Sequence, residues 1–550
     1  MNPLVARILE NRGIGAAELD AFLHPTLDRL ANPGELPGVV EAADAILSAL
    51  SGRRLVVVFG DYDCDGVCAT AILSRALKAL GGNVAEFIPD RLKEGYGMSD
   101  ASVARMLAEH PGVGLVVTVD NGINSIAQVA GLKARGVPVV ITDHHLPTFA
   151  ATESGAPGEM LLPDALAIVN PKVAAPASLS GLCGAGVAFL LANQVVVEAR
   201  ARGLYDGPGI GGPLLVMAGL ATVTDIMPLL GQNRILVAEA LRRFRACAPI
   251  GLRELYARAA RNAYGELTAR DFGFLLGPRI NAAGRIKSGM EALELLLSDD
   301  REITRELARI IDCYNVERKA IEQAMVDEAL EKIVPNAAAQ VIDLPGGHPG
   351  VAGIVAARVM ERLGETVPVC VYAGGHGSAR APDGLNIRDA FVACAEALDR
   401  FGGHAAAGGF SVKAGRIDDF RRLLCDYCAR TRQPAVGAAA SEPDLWVEPP
   451  DLTLSLAEDL QRLEPFGEGN PEPVFGLRGV FFSEVRSLGA DGRHLSVTLR
   501  KSSLRAIQWG RGDLVERLRA ESAVPHDLTC SVVLSDYGER HVELRIVSVS

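Results

Sequence analysis

Aromatic residues are scarce in this chain, at 5% of 550 positions with only two tryptophans. Long apolar runs are missing too: no stretch reaches the roughly 20 residues that a membrane-spanning helix requires. The opening residues, Met1-Asn2-Pro3-Leu4-Val5-Ala6-Arg7, carry neither the basic region nor the apolar core of a signal peptide, so a cytoplasmic protein is expected. The ten cysteines are scattered, which suits reduced thiols better than a disulfide framework. The pair Cys425 and Cys428 lies in a helical pattern with no second pair nearby, and reads as helix packing rather than zinc. Positive charge is not in excess. A net charge of −12 excludes a generally sticky polycation, but local basic surface still permits nucleic-acid binding.

What remains is the composition of a globular enzyme, 49% hydrophobic and 22% charged, in a chain long enough for about three to five domains. Residues 1–50 read as an N-terminal helical segment, with Val39, Val40, Ala43, Ile46, Leu47 and Leu50 spaced to dock on the next domain. Over 51–289, short apolar runs alternate with amphipathic stretches. Strands are expected at Leu55–Phe59, Val84–Ile88, Leu115–Val119, Val137–Ile141 and Ala167–Val169, with helices between, which predicts a mostly parallel sheet. A Gly/Pro/Ser-rich loop follows over 151–163.

Residues 290–335 hold leucine and isoleucine at helical spacing without a proline until Pro335, as expected of a helix pair or one long connecting helix. A second α/β unit occupies 336–433, and 434–450 reads as a linker. From 451 to 550, five strands are expected around Val474–Leu477, Leu495–Leu499, Ala506–Trp509, Leu528–Leu534 and Val542–Val547. They predict a small β-barrel of the oligonucleotide-binding kind. Trp509 and Phe481 are candidate stacking platforms there, with burial in the core as the simpler role.

The most informative stretch is Val56-Val57-Val58-Phe59-Gly60-Asp61-Tyr62-Asp63-Cys64-Asp65-Gly66. A buried strand ends in glycine, and three carboxylates follow at alternate positions, where open α/β sheets place their ligands. An EF-hand loop would need Glu at its twelfth position, which here is Ile72. Two more strands end alike, in Asp120-Asn121-Gly122 and Asp143-His144-His145, and Asp225 lies in the apolar run Ala221–Leu229. Singly, each is explained by a helix cap or a surface loop; jointly, parallel strands bring their ends to one edge. Carboxylates with imidazole and no thiolate favour Mn2+ or Mg2+. Two such ions about 3.5–4 Å apart suit in-line displacement at phosphorus.

These motifs resemble those of the DHH phosphoesterase superfamily. Four further motifs narrow the resemblance to its RecJ family: Pro278-Arg279-Ile280-Asn281-Ala282-Ala283-Gly284-Arg285, His348-Pro349-Gly350-Val351-Ala352-Gly353, Gly377-Ser378-Ala379-Arg380 and Phe401-Gly402-Gly403-His404. So does Pro465-Phe466-Gly467-Glu468-Gly469-Asn470-Pro471, which opens the C-terminal segment. The resemblance implies two α/β domains joined by a long helix, with a C-terminal barrel. It implies two Mn2+ or Mg2+ ions held by Asp63, Asp65, Asp120, His144 and Asp225, with Asp120 bridging. Asp143 and His145 would orient ligands or contact the scissile phosphate. Some family members carry a histidine two residues before the first aspartate; Phe59 stands there, which makes Asp61 a candidate replacement ligand.

The resemblance also implies DNA or phosphate contacts from Arg91, Arg279, Asn281, Arg285, His348, Ser378, Arg380, Gly402, Gly403 and His404. Ordinary alternatives are a capping or surface role for each arginine, and a tight turn for Gly402-Gly403-His404. The activity implied is a single-stranded-DNA-specific 5′-to-3′ exonuclease in repair and recombination, with single-stranded-DNA-binding protein and a helicase as further partners. The alternatives are a DHH phosphodiesterase of short oligonucleotides or cyclic dinucleotides, and a non-catalytic DNA-binding replication factor. The segment 450–550 argues against the first, and the retained aspartates against the second.

Overall fold

The computed structural model describes residues 1–95, 97–150, 158–260, 266–431, 442–489, 491–535 and 540–550. The chain forms two compact units, one of residues 31–227 and 240–438, the other of 1–30, 228–239 and 439–550. The expected N-terminal segment is therefore divided. Helices α1 (Pro3–Asn11) and α2 (Ala16–Leu23) put Val5, Ile8, Leu9 and Phe22 into the hydrophobic core of the smaller unit. Only α3 (Val39–Ser51) belongs to the larger one, where its apolar stripe is buried.

The larger unit is organised by five parallel strands, β1 (Leu55–Phe59), β2 (Val84–Phe87), β3 (Val113–Val119), β4 (Val139–Thr142) and β5 (Ala167–Val169), in the order β2-β1-β3-β4-β5. The order reverses between β1 and β3, which opens a crevice at their C-terminal ends. Val56 to Phe59 are fully buried, as the unbroken apolar run requires of a strand covered on both faces. Helices α4 (Cys64–Ala79), α5 (Gly184–Ala201) and α6 (Gly211–Thr224) pack on one another, and most of their residues are buried. The loop expected over 151–163 lies outside the described residues as far as 157; beyond it, Met160–Leu161 pairs with Thr148–Phe149.

Helices α7 (Gly277–Ile286) and α8 (Arg301–Glu331) lead from this sheet towards the second α/β domain. The connecting segment is broken rather than continuous: Gly289–Leu297 ends before α8 begins. Asp300 starts the new helix by accepting from the N–H groups of Glu302 and Ile303. Beyond it come β6 (Gln340–Leu344), α9 (Ala352–Arg362), β7 (Val369–Ala373), β8 (His376–Arg380), β9 (Leu398–Gly403) and β10 (Ala407–Val412). Their sheet runs β9-β10-β8-β7-β6, parallel only between β6 and β7. Cys425 and Cys428 lie in the helix Ile417–Thr431, with Cys428 buried.

The smaller unit holds a seven-stranded sheet among the described residues. Five strands match those expected. Leu445–Trp446 falls inside the presumed linker and pairs with Phe475–Val480, so the linker ends earlier than its composition implies; residues 434–441 lie outside the described ones. Phe482–Leu488 escapes notice because its polar residues leave no apolar run. Trp509 is not a core residue: it is 61% exposed, its ring against His494.

One residue ties three stretches of this unit together. Arg234 is 1% exposed and donates from Nε to the Phe22 carbonyl (2.8 Å) and from Nη2 to that of Glu464 (2.7 Å). Its guanidinium lies 3.8 Å from the Phe22 ring centroid. Burial lowers its pKa to about 10, so it stays charged at neutral pH. Arg234→Met leaves these buried carbonyls without donors and is expected to cost about 3–5 kcal/mol. A urea titration followed by the fluorescence of Trp446 and Trp509 reads it; an unchanged midpoint contradicts this role.

Candidate metal centre

The site begins where β1 ends. Asp63 caps α4, its Oδ1 accepting from the N–H groups of Asp65 and Gly66, both at 3.0 Å. Asp65, one turn on, is clamped from another direction: the first N–H groups of α5, from Gly184 and Ala185, donate to Oδ2 and Oδ1 at 2.7 and 2.8 Å. A helix N-terminus favours a carboxylate there. Gly184 is needed for that approach, since a Cβ would stand 2.5 Å from Asp120 Cβ. From α7, Asn281 Oδ1 accepts from Cys64 N–H at 2.7 Å. Gly284 lets α7 come this close, for a Cβ would lie 2.4 Å from the Tyr62 carbonyl.

Asp120 follows β3 with φ +61°, a left-handed conformation that a non-glycine residue adopts at some cost and that clusters at functional sites. Asp143, after β4, is wholly occupied. Oδ2 accepts from Ile123 N–H at 2.9 Å, and Oδ1 from His144 N–H and His145 N–H and across 2.7 Å from His145 Nδ1. It orients the histidines. His144 Nε2 stands 3.1 Å from Asp120, 3.6 Å from Asp65 and 3.7 Å from Asp225, which ends α6.

Two separate groups of ligand atoms result, each within 4.8 Å: Asp61, Asp63 and Asp120, and Asp65, His144 and Asp225; a third, Asp120, His144 and His145, shares a residue with each. Burial and neighbouring carboxylates raise the pKa of Asp61, Asp63 and Asp120, and carry Asp225 to about 8. Burial opposes protonation of His145, but Asp143 more than offsets it, bringing the ring to about 9. Both carboxylate oxygens of Asp61 are buried without a hydrogen-bond partner among the described residues. Buried acceptors left this way fit a cation, and a donor set of carboxylates and imidazole fits Mn2+ or Mg2+. Phe59, by contrast, packs against Phe87 within the core, the ring centroids 4.9 Å apart and the planes tilted.

The predicted phosphate contacts divide. Arg91, Arg285 and Arg380 come together: Arg91 lies over the Tyr62 ring at 4.9 Å. Burial, then the charge of Arg91, lowers the pKa of Arg380 and brings that of Arg285 to about 10. Ser378 Oγ and Arg380 Nη2 share the space over Gly353 at the start of α9. Arg279 is not with them; its Nε pairs with Asp312 at 2.9 Å and its Nη1 with the Leu275 carbonyl, holding α7 to α8. Asn281 holds the start of α4 through its Oδ1. His348 Nδ1 accepts from Gly350 N–H at 3.1 Å, while Arg285 donates to the Gly350 carbonyl. Gly402 and Gly403 lead into a hairpin closed by His404 N–H to Ala407 O at 2.8 Å, so the tight turn is real, with His404 exposed on it. Sequence reasoning missed the start of α5 and the buried Arg318; the run of small residues after Cys183 is the one signal for the former.

The chain matches the models of the DHH family N-terminal domain over 55–207, the DHHA1 domain over 336–430 and the RecJ OB domain over 443–548. It is 37% identical to the single-stranded-DNA-specific exonuclease RecJ of Dickeya dadantii, covering 90% of this chain and 86% of that protein. With RecJ of Bacillus subtilis it shares 34% identity over 94% of its own length, and spans 64% of that longer relative. The crystal structure of RecJ in complex with Mn2+ from Thermus thermophilus superposes with a TM-score of 0.81 at 34% identity, covering all of this chain and 76% of that one. Its Mg2+ complex gives 0.77 at 32%, covering all and 74%. Three matched domains in order, and identity sustained along nearly the whole chain, place this protein in the RecJ family.

Proposed function

We propose that the chain is a single-stranded-DNA-specific 5′-to-3′ exonuclease that releases 5′-mononucleotides by phosphodiester hydrolysis with two Mn2+ or Mg2+ ions. The observation that carries this reading is the pair of ligand groups at the sheet edge with a cluster of arginines in the same unit. Asp61 and Asp63 would hold one ion, and Asp65, His144 and Asp225 the other; Asp120, within ligand distance of both groups, would serve either. Bound divalent ions acidify the attacking water and neutralise charge on the phosphoryl oxygens. The chain's own residues do the rest. Asp143 fixes the His145 ring and the His144 backbone, and the α5 N-terminus fixes Asp65. Arg91, Arg285, Ser378 and Arg380 receive the terminal phosphate, guanidinium groups forking onto its oxygens.

Polarity would require a terminal phosphate gripped at a fixed distance from the ions, and strand preference a cleft too narrow for duplex. The OB domain supports the reading as a strand-binding module. Single-stranded-DNA-binding protein and a helicase are the protein partners proposed, acting with this chain in the cytoplasm. Among the described residues no helix is long and apolar enough to cross a membrane.

Digestion of end-labelled single and double strands with Mn2+ or Mg2+ tests the reading directly. Mononucleotides from the 5′ end of single strands are expected, and full activity after chelation or in Asp120→Asn would refute it. Arg380→Ala is expected to raise KM about 10–100-fold with little change in kcat, since a charge-assisted contact is worth about 1.5–3 kcal/mol. Arg279→Ala should instead lower stability and leave KM alone.

Metal removal gives a pH signature. A carboxyl whose folded pKa is raised contributes stability below its unfolded value of 3.8, lost as pH rises through about 8 for Asp225. His145 acts in the same sense, losing its contribution between 6.5 and about 9. The metal-free protein should therefore show a Tm that falls from pH 6.5 to 9, and Mg2+ should raise Tm most at the upper end. A Tm that rises over that range counts against the assignment.

A further inference from the structure

A groove between α8 and α9 lies apart from the residues assigned to the metals and the terminal phosphate. It has a volume of about 430 Å³ and is lined by Arg318, Lys319 and Glu322 of α8 and by Arg358, Glu361 and Arg362 of α9. On each helix these positions fall on one face. Four cations against two carboxylates is a positive concentration in a chain of net charge −12. The carboxylates are already engaged: Glu322 accepts from Arg318 at 2.5 Å and Arg358 at 3.4 Å, and Glu361 pairs with Arg358 at 3.1 Å. Among the described residues, Lys319 and Arg362 have no ion pair. Arg318 is 8% exposed and further held by Asn315 Oδ1, so one wall of the groove is rigid.

The groove also neighbours the arginine cluster, through Arg318. α9 starts beside Ser378 and Arg380, and Arg358 stands about 8 Å further along the same helix at its rise per residue. Arg318 is near enough to Arg285 for their charges to interact, which extends the series Arg380, Arg91, Arg285 to the mouth of the groove. A volume at the small end of ligand sites, about 300–1,000 Å³, suits one nucleotide rather than a strand. Two cations not committed to the protein suit a dianionic monoester better than a singly charged diester link.

We propose that this groove is a second phosphate subsite, which takes the 5′-monophosphate of a free nucleotide. That the nucleotide is the product just released rests on the exonuclease reading; binding itself does not.

The test is calorimetric titration of the full chain in EDTA with 5′-dTMP, in an Arg380→Ala background that weakens the neighbouring cluster. Adding Lys319→Glu and Arg362→Glu should weaken binding at least tenfold, and thymidine, which lacks the phosphate, should not bind. The milder pair Lys319→Gln and Arg362→Gln, with an unchanged Tm, should weaken it in the same direction. Equal 5′-dTMP affinity with and without the two cations overturns the proposal.

Source is read from inhibition of single-strand digestion by added 5′-dTMP, without the Arg380 change. If the product is the occupant, the inhibition constant rises at least fivefold in Lys319→Glu/Arg362→Glu while the rate without added nucleotide stays the same. Binding lost with inhibition unchanged assigns the groove to nucleotide from solution. A chain that binds 5′-dTMP here but digests no DNA removes the exonuclease reading and keeps the subsite.

Discussion

Six carboxylates crowd the C-terminal edge of one parallel sheet, and their mutual repulsion is the constraint that the surrounding structure answers. Two unit charges 4 Å apart cost about 4 kcal/mol at an effective dielectric of 20. A few such pairs consume much of the roughly 5–15 kcal/mol by which a domain is stable. The fold compensates with oriented N–H groups: the first turn of α4 on Asp63, the first turn of α5 on Asp65, and Ile123 with the two histidine amides on Asp143. These contacts fix where the carboxylates point without neutralising them. Protons or divalent cations must supply the rest, and the raised pKa values of Asp61, Asp120 and Asp225 record that demand.

The arginines present the opposite problem in the same unit. Burial, and then the charge of Arg91 beside it, push the pKa of Arg285 down to about 10. It remains protonated at neutral pH, so the cluster is a standing positive charge. A phosphate relieves that charge, while cations relieve the carboxylates. An anionic ligand on the arginines together with divalent cations on the carboxylates would satisfy both halves at once. The single bond from Arg285 to the Gly350 carbonyl ties the two α/β domains at this point.

The strand-end aspartates were legible because two physical rules act together. A buried parallel strand must be apolar on both faces, and parallel strands must end on one side; Asp61, Asp120 and Asp143 needed nothing more. The clamp on Asp65 was not legible, because it is made by backbone N–H groups 119 and 120 residues away, and backbone donors leave no sequence signature beyond small residues such as Gly184. Arginine roles were equally opaque. Arg279 and Arg285 occupy one helix six positions apart, yet one is spent on Asp312 and the other joins the phosphate cluster, a difference set by packing partners on α8 and at Gly350. Trp509 is exposed against the general tendency of large aromatics, because the strand bearing it ends one residue earlier. The division of the first 50 residues follows from long-range packing of α1 and α2 that periodicity alone cannot address.

Phe59 and Asp61 show how one substitution in a motif can be read physically. Phe59 is fully enclosed and packed against Phe87, so the strand has converted that position to core. A ring of that size buried on a central strand contributes about 1.5–3 kcal/mol, which a ligand side chain aimed at the metal could not. The compensation lies two residues on. Both oxygens of Asp61 are buried and lack a hydrogen-bond partner among the described residues, a state that native structures rarely leave uncompensated. Burial raises its pKa and makes the bare anion costly, yet Asp63 and Asp120 supply donor oxygens within ligand distance. Asp61 is therefore a carboxylate that is costly to hold as a bare anion and that lies within ligand distance of Asp63 and Asp120, where a cation would satisfy it.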